Sequence, residues 1–258
     1  MMKKNSQKNV NISKKLIWKC KKVLTKIMII IFLVIFIITS YLLIREYLSY
    51  KDNEESNNEL IEDVIEINPE TQETTIDWDY LKSINEDIIA WIEIEGTKIN
   101  YPILQDSDNL FYLKHSYNKK YSSSGSIFTT NKSPFLDEET IVYGHNMKNG
   151  SMFSMLDNYL DKDFLYSHLK IKIYTPTINY EGTIFSVYSI SYATETNNIK
   201  ELSFDERIEY YQNASKYTLD TVDSISNIVK LSTCSYINAT TSPTNQRYYI
   251  IAYIIPIE

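Results

Sequence analysis

A thiol and an imidazole are the groups in this chain best suited to nucleophilic chemistry. Of its two cysteines, Cys20 lies among lysines near the N-terminus and Cys234 lies near the C-terminus, and the three histidines are His115, His145 and His168. Acyl transfer by cysteine requires a thiol that can become a thiolate, a proton carrier and a group that holds the developing oxyanion. Cys234 ends the apolar run Ile228-Val229-Lys230-Leu231-Ser232-Thr233. His145 follows Ile141-Val142-Tyr143 and Gly144, and a polar loop with Asn146, Asn149 and Gly150 comes next. A glycine at that point permits tight backbone geometry. Polar residues just past strand ends sit at the rim of a sheet or barrel, where sites are usually built. Arg247 begins the last apolar run, after a loop with Thr240, Thr241, Ser242, Pro243 and Asn245. If the last two strands pair, Cys234 and Arg247 share one end of the sheet. An arginine in an apolar strand pattern is either paired or an exposed edge residue, and the pattern leaves both open. His115, beside Lys114, and His168, after Tyr166 and Ser167, fall at probable helix ends, where dipole and solvent account for them. A buried, inert thiol is the plainer alternative for Cys234 taken alone.

The elements that must position these groups begin after a segment that carries only Cys20. Nine Lys fall between Lys3 and Lys26, no Asp or Glu precedes Glu46, and Ile27 to Ile44 is an 18-residue run without a charge. At ~1.5 Å rise per residue this run reaches roughly 27 Å, close to the hydrocarbon thickness of a bilayer. A core helix is rarely apolar on every face. A signal peptide has a shorter apolar run and a small-residue cleavage site, whereas Arg45-Glu46-Tyr47 follow here. The run reads as an uncleaved, single-pass membrane anchor. Its basic flank predicts a cytoplasmic segment 1–26, an anchor 27–44 and an exported remainder. Cys20 and Cys234 then lie on opposite sides of a bilayer and cannot pair, and the exported thiol faces an oxidising compartment alone.

The 258 residues are 43% hydrophobic and 23% charged, an ordinary globular make-up. Five Gly and six Pro exclude collagen-like and Gly/Pro-rich low-complexity readings, and two Cys exclude a disulfide framework or a Cys-rich zinc ribbon. The net charge of −7 argues against a nucleic-acid partner. Ten of the 26 basic residues lie at or before Arg45, so the exported part carries 16 against 33 acidic residues. Residues 45–75, rich in Asn, Glu and Thr, read as an acidic spacer with a helical piece around Leu60–Ile67. From Ile76 the pattern changes, and residues 76–258 read as the folded domain that carries His145, Cys234 and Arg247. Asp77 can cap a short helix, Ile88–Ile94 and Lys98–Leu104 form a hairpin about Glu95-Gly96, and a short helix covers Asn109–Lys114. Strands follow at Ile127–Thr130, Thr140–Tyr143, Lys170–Tyr174, Thr183–Tyr192, Ile228–Thr233 and Tyr248–Ile255, with helical spacing over Ser151–Tyr159. Ser203-Phe204-Asp205-Glu206 fits a capping box before Ile208 and Tyr211. About eight short strands with one inserted helix predict a mostly antiparallel β-barrel with helical additions.

Taken together, Tyr143-Gly144-His145-Asn146-Met147, Gly150, Met152-Phe153, Leu231-Ser232-Thr233-Cys234 and the later Arg247 resemble the sortases, membrane-anchored cysteine transpeptidases of Gram-positive cell surfaces. Trp91–Gln105 and Gly125-Ser126-Ile127-Phe128, with the capped helix before the Cys strand, are similar to class B. The order His, Cys, Arg is specific, and the resemblance runs from Asp77 to the end. Lys230 departs from the Thr usual before Leu-Ser-Thr-Cys, and the step from Cys234 to Arg247 is long for the class. The resemblance implies a mostly β, eight-stranded sortase barrel with two N-terminal helices, one helix in the loop before the Cys strand and one transmembrane helix ahead of it. It implies Cys234 as nucleophile, His145 as proton carrier and Arg247 as oxyanion holder, with Leu231, Ser232, Thr233 and Asn146 on the substrate side. It implies neither a metal nor a cofactor. The partners it implies are exported proteins with a C-terminal sorting signal, an amine on a peptidoglycan precursor and the membrane. A pilin-polymerising sortase that uses a Lys amine, a cysteine peptidase that only hydrolyses and a non-catalytic surface module are the alternatives. Papain-like peptidases place Cys before His in the chain, the reverse of the order here.

Overall fold

The computed structural model describes residues 2–71, 73–108, 110–222, 224–235 and 244–257, with side chains described at Trp18 and from Lys21 onward. The side chain of Cys20, the helix start at Asn109 and the loop residues Thr240, Thr241, Ser242 and Pro243 lie outside the described residues. Contacts divide the chain into two units, Met1–Ser49 and Tyr50–Glu258. Helix α1 (Met2–Val64) fills the first unit. Its large apolar side chains from Ile27 to Ile44 are all exposed, and the helix is long and apolar enough to cross a membrane.

In the second unit the last turns of α1 correct the spacer expectation. The acidic stretch is helical to Val64 and continues as a small antiparallel hairpin, β1 (Ile65–Ile67) with β2 (Thr74–Ile76). Leu60 and Val64, four apart and therefore on one helix face, are buried with Trp91, Leu81 and Tyr112. The hydroxyl of Tyr117 lies 2.7 Å from Ser56 Oγ on the same helix. Acidic residues between these apolar positions hide a short stripe in the composition, but the stripe is what packs.

Helix α2 (Trp78–Ile84) starts as expected, with the Asp77 carboxylate accepting from the Tyr80 N–H at 2.9 Å. Eight strands then close a barrel: β3 (Ile88–Glu93), β4 (Asn100–Leu104), β5 (Ile127–Thr129), β6 (Glu139–Tyr143), β7 (Lys170–Tyr174), β8 (Asn179–Ser191), β9 (Ile228–Cys234) and β10 (Gln246–Ile257). Their order around the barrel is β10-β8-β7-β3-β4-β5-β6-β9. Six of the eight pairings are antiparallel, and β4–β5 and β6–β9 are parallel. Strand alternation sends Val229 and Leu231 of β9, and Tyr248, Ile250 and Ala252 of β10, into one buried core. Each fully buried aliphatic side chain contributes about 1.5–3 kcal/mol.

The connections differ from expectation in two ways. The segments Phe111–Leu113 and Ser154–Leu160 wind as 3-10 turns, and a short helix α3 (Lys162–Ser167) follows the second. The connection from β8 to β9 holds two helices, α4 (Tyr192–Ile199) and α5 (Phe204–Ala214), where the pattern predicted one. The Ser191 hydroxyl caps α4 by accepting from the Thr194 N–H at 3.1 Å, a signal hidden at the end of an alternating strand. The Ser203–Glu206 capping box on α5 is present as read. Tyr211 of α5 packs with Tyr188, Ile228, Tyr249 and Ile251 on the outer wall of the barrel.

Candidate active site

The pairing of β6, β9 and β10 brings the chemistry together. Strands β6 and β9 run parallel, with Tyr143 opposite Ser232, so His145 and Cys234 each lie two residues further toward the same end. The Gly144 N–H donates to the Ser232 carbonyl at 3.2 Å and extends this ladder by one step. Only glycine fits there, because a Cβ would lie 2.5 Å from Ile127 Cδ1 and 2.7 Å from the Phe153 ring. Strand β10 runs antiparallel to β9 with Arg247 opposite Cys234. Cys234, His145 and Arg247 therefore meet at one mouth of the barrel, where they line a single cavity of about 430 Å³.

Each side chain is held in a specific way. Cys234 is half-buried. The His145 imidazole lies with Nε2 2.8 Å from the Leu113 carbonyl. A carbonyl can only accept, so Nε2 carries the proton and Nδ1 is the nitrogen left to exchange one with a ligand. The His145 carbonyl accepts from the Phe153 N–H at 3.0 Å, which fixes the backbone behind the ring. Arg247 Nη1 donates to the carbonyls of Thr244 and Gln246, both at 3.0 Å. These bonds orient the guanidinium plane and do not use its Nε and Nη2 donors. An oriented planar fork suits a carbonyl oxygen that gains charge.

Two of the predicted substrate-side residues are corrected. Leu231 is fully buried in the barrel core, because alternation turns it to the opposite face of β9 from Ser232 and Cys234. The Asn146 amide is committed within the protein, with Nδ2 donating to the Cys234 carbonyl at 2.9 Å and to Asp157 Oδ2 at 2.8 Å. It clamps the loop after β6 to the end of β9 and does not line the cavity. Ser232 and Thr233 do line it, although both are almost completely buried.

The sequence reading missed several residues around the mouth. Leu110, Leu113, Phe128 and Tyr192 line the cavity, with Phe128 stacked on Tyr143 at 5.5 Å between ring centroids. Their signal was diffuse, since apolar and aromatic residues on loops look like ordinary core. Asp157 holds Asn146 from a 3-10 turn, and burial pushes its carboxyl above the usual value against the bond from Asn146. His115 and His168 do not line the cavity. Each stacks on an aromatic ring four residues back, Phe111 and Phe164, and bonds through Nδ1 to that residue's carbonyl. Among the described residues, no group of three or more His, Cys, Asp or Glu is placed to hold a metal ion.

Comparisons with known proteins relate this chain and its closed barrel to the sortases. The sortase domain family matches residues 92–255, and the chain belongs to the sortase family. Its relatives put it in class B. It is 42% identical over 160 residues to sortase B of Listeria monocytogenes, a match that covers 60% of this chain and 65% of that protein. It thus spans about two thirds of the length of that relative. It is 28% identical over 250 residues to sortase B of Staphylococcus aureus, covering 93% of this chain and 99% of that protein. The X-ray structure of Clostridium perfringens sortase B superposes with a TM-score of 0.62 at 33% identity, covering 69% of this chain and 100% of that one.

Proposed function

We propose that this chain is a membrane-anchored cysteine transpeptidase that joins exported proteins to the cell wall. Cys234, as thiolate, attacks the carbonyl carbon after Thr in a C-terminal sorting motif. The C–N bond breaks, and the leaving amine takes a proton from His145. A thioester on Cys234 remains. An amine of a peptidoglycan precursor then attacks the thioester, gives its proton to His145 and displaces the Cys234 thiolate. Arg247 holds the oxyanion in both halves through the donors its backbone bonds leave over. The single observation that carries this reading is the strand register, which puts Cys234 beside His145 on one side and Arg247 on the other.

The apolar run of α1 supports the anchor, and the lysines ahead of it support a cytoplasmic N-terminus with the barrel outside. An unprocessed exported substrate and a lipid-linked amine donor would share that membrane face, so tethering raises their effective concentration. The test is product analysis by mass spectrometry, with a sorting-peptide library and candidate amines incubated with the full chain. Amide products support the reading. Acid products alone, at every amine concentration, would replace it with a peptidase.

A further inference from the structure

Helix α4 walls the catalytic cavity at its first residue, Tyr192, and is fastened to the barrel three residues later, at Glu195. Tyr192 is 54% exposed and Glu195 only 2%. The Glu195 carboxylate is fully engaged. It pairs with Lys230 Nζ and accepts from Tyr188 OH at 2.6 Å and Tyr210 OH at 2.9 Å. Lys230, 1% exposed, also lies over the rings of Tyr211 and Tyr249 at 4.5 and 4.4 Å.

The location of this pair matters more than its strength. Lys230, Ser232 and Cys234 alternate onto the same outer face of β9, so one strand carries both the nucleophile and the helix fastening. The Tyr192 N–H donates to the Asn245 carbonyl at 2.9 Å, two residues before Arg247. The start of α4 is thereby tied to the Arg247 strand and its first turn to the Cys234 strand. Replacing a buried ion pair by apolar groups of equal volume is often neutral or stabilising, so stability alone does not account for it. Directional bonds from Glu195 to three partners fix the rotation of α4 about its axis, which an apolar contact would leave loose.

We propose that Lys230 and Glu195 are positioning residues that set the peptide preference of the cavity by holding Tyr192 against its mouth. Neither touches the reacting atoms. The inference rests on the transpeptidase reading only for its kinetic readout.

The experiment uses the full chain in detergent micelles and the double variant K230M/E195Q, in which a Gln carbonyl still accepts from the tyrosines and no lone charge is buried. Two readouts are taken: kinetics on sorting peptides that vary in the residue before Thr, and hydrogen exchange of the amides of residues 192–199. The double variant should raise KM about tenfold with kcat within about twofold, and narrow the spread of kcat/KM across the peptides. Amide exchange over 192–199 should rise about tenfold while the β9 and β10 amides stay protected. In a Tyr192→Ala background the same double substitution should change KM by less than about twofold, because the position it controls is gone. An equal KM effect in that background, or unchanged exchange in α4, overturns the proposal. If the wild-type chain turns over no peptide at all, the proposed function fails, and the exchange readout alone decides whether Lys230 and Glu195 hold the helix.

Discussion

The outer wall made by β6, β9 and β10 treats its polar groups in opposite ways at its two ends. At the open end, His145, Cys234 and Arg247 line a cavity, and the bonds His145 and Arg247 make among the described residues leave His145 Nδ1 and Arg247 Nε and Nη2 over. Four residues down β9, Lys230 is sealed under α4 and α5 with its partners saturated. Two residues further from the mouth, opposite Ile228, Glu139 of β6 accepts from Tyr211 OH at 2.9 Å and Arg207 Nη1 at 2.5 Å. The strands, the face and the alternation are common to both ends. The cover differs, because helices close one end and leave the other to solvent. A buried polar network is stable only when every member is satisfied, whereas a site that must change charge during a reaction needs spare bonding capacity. The sealed end can therefore serve as a fixed base for the reactive one.

Substitutions at the two ends should separate these roles. The largest effect belongs to Cys234→Ala, which should abolish peptide turnover and leave the circular dichroism spectrum and Tm unchanged; persistent turnover would remove the nucleophile from the account. Arg247→Lys should lower kcat/KM by about 10²–10³, since a point charge does not replace the oriented fork, and rates near wild type would show that the fork is not needed. At the sealed end, Lys230→Met alone strands the Glu195 carboxylate and should cost about 3–5 kcal/mol in denaturant unfolding. An unchanged midpoint there would erase the contrast between the two ends. The smallest effect is Asp157→Asn. Burial raises the Asp157 carboxyl pKa, so the folded state disfavours its ionised form. Its stabilising contribution is complete below the ordinary carboxylate pKa and is lost as pH rises through the raised value. Asp157→Asn should therefore raise Tm more at pH 7 than at pH 4, and a gain independent of pH would argue against the buried charge.

The barrel, and the meeting of His145, Cys234 and Arg247 at one of its ends, were legible in the sequence because both rest on local signals. Alternating apolar runs marked nearly every strand, and His145, Cys234 and Arg247 each stand at the edge of such a run. What stayed hidden depends on partners distant in the chain. Leu231 and Ser232 are neighbours that strand alternation sends to opposite faces, and family resemblance alone could not separate them. Asn146 looked available until the fold supplied Asp157 and the Cys234 carbonyl as its partners. Helix α4 went unread, with only its first residue, Tyr192, taken as the end of a strand, because its cap, Ser191, continues the alternation of β8. Lys230, in a run of apolar residues, could be placed as a departure from the family pattern but not explained until Glu195 was seen against it.

The central claim is that the Cys234 sulfur takes up an acyl group at this mouth. Intact-mass analysis of the full chain, acid-quenched after mixing with a sorting peptide and no amine, tests it most directly. The account predicts an adduct with the mass of the peptide up to Thr, mapped to Cys234 and discharged on adding amine. A chain that converts the peptide without ever carrying that mass, or carries it on another residue, would contradict it.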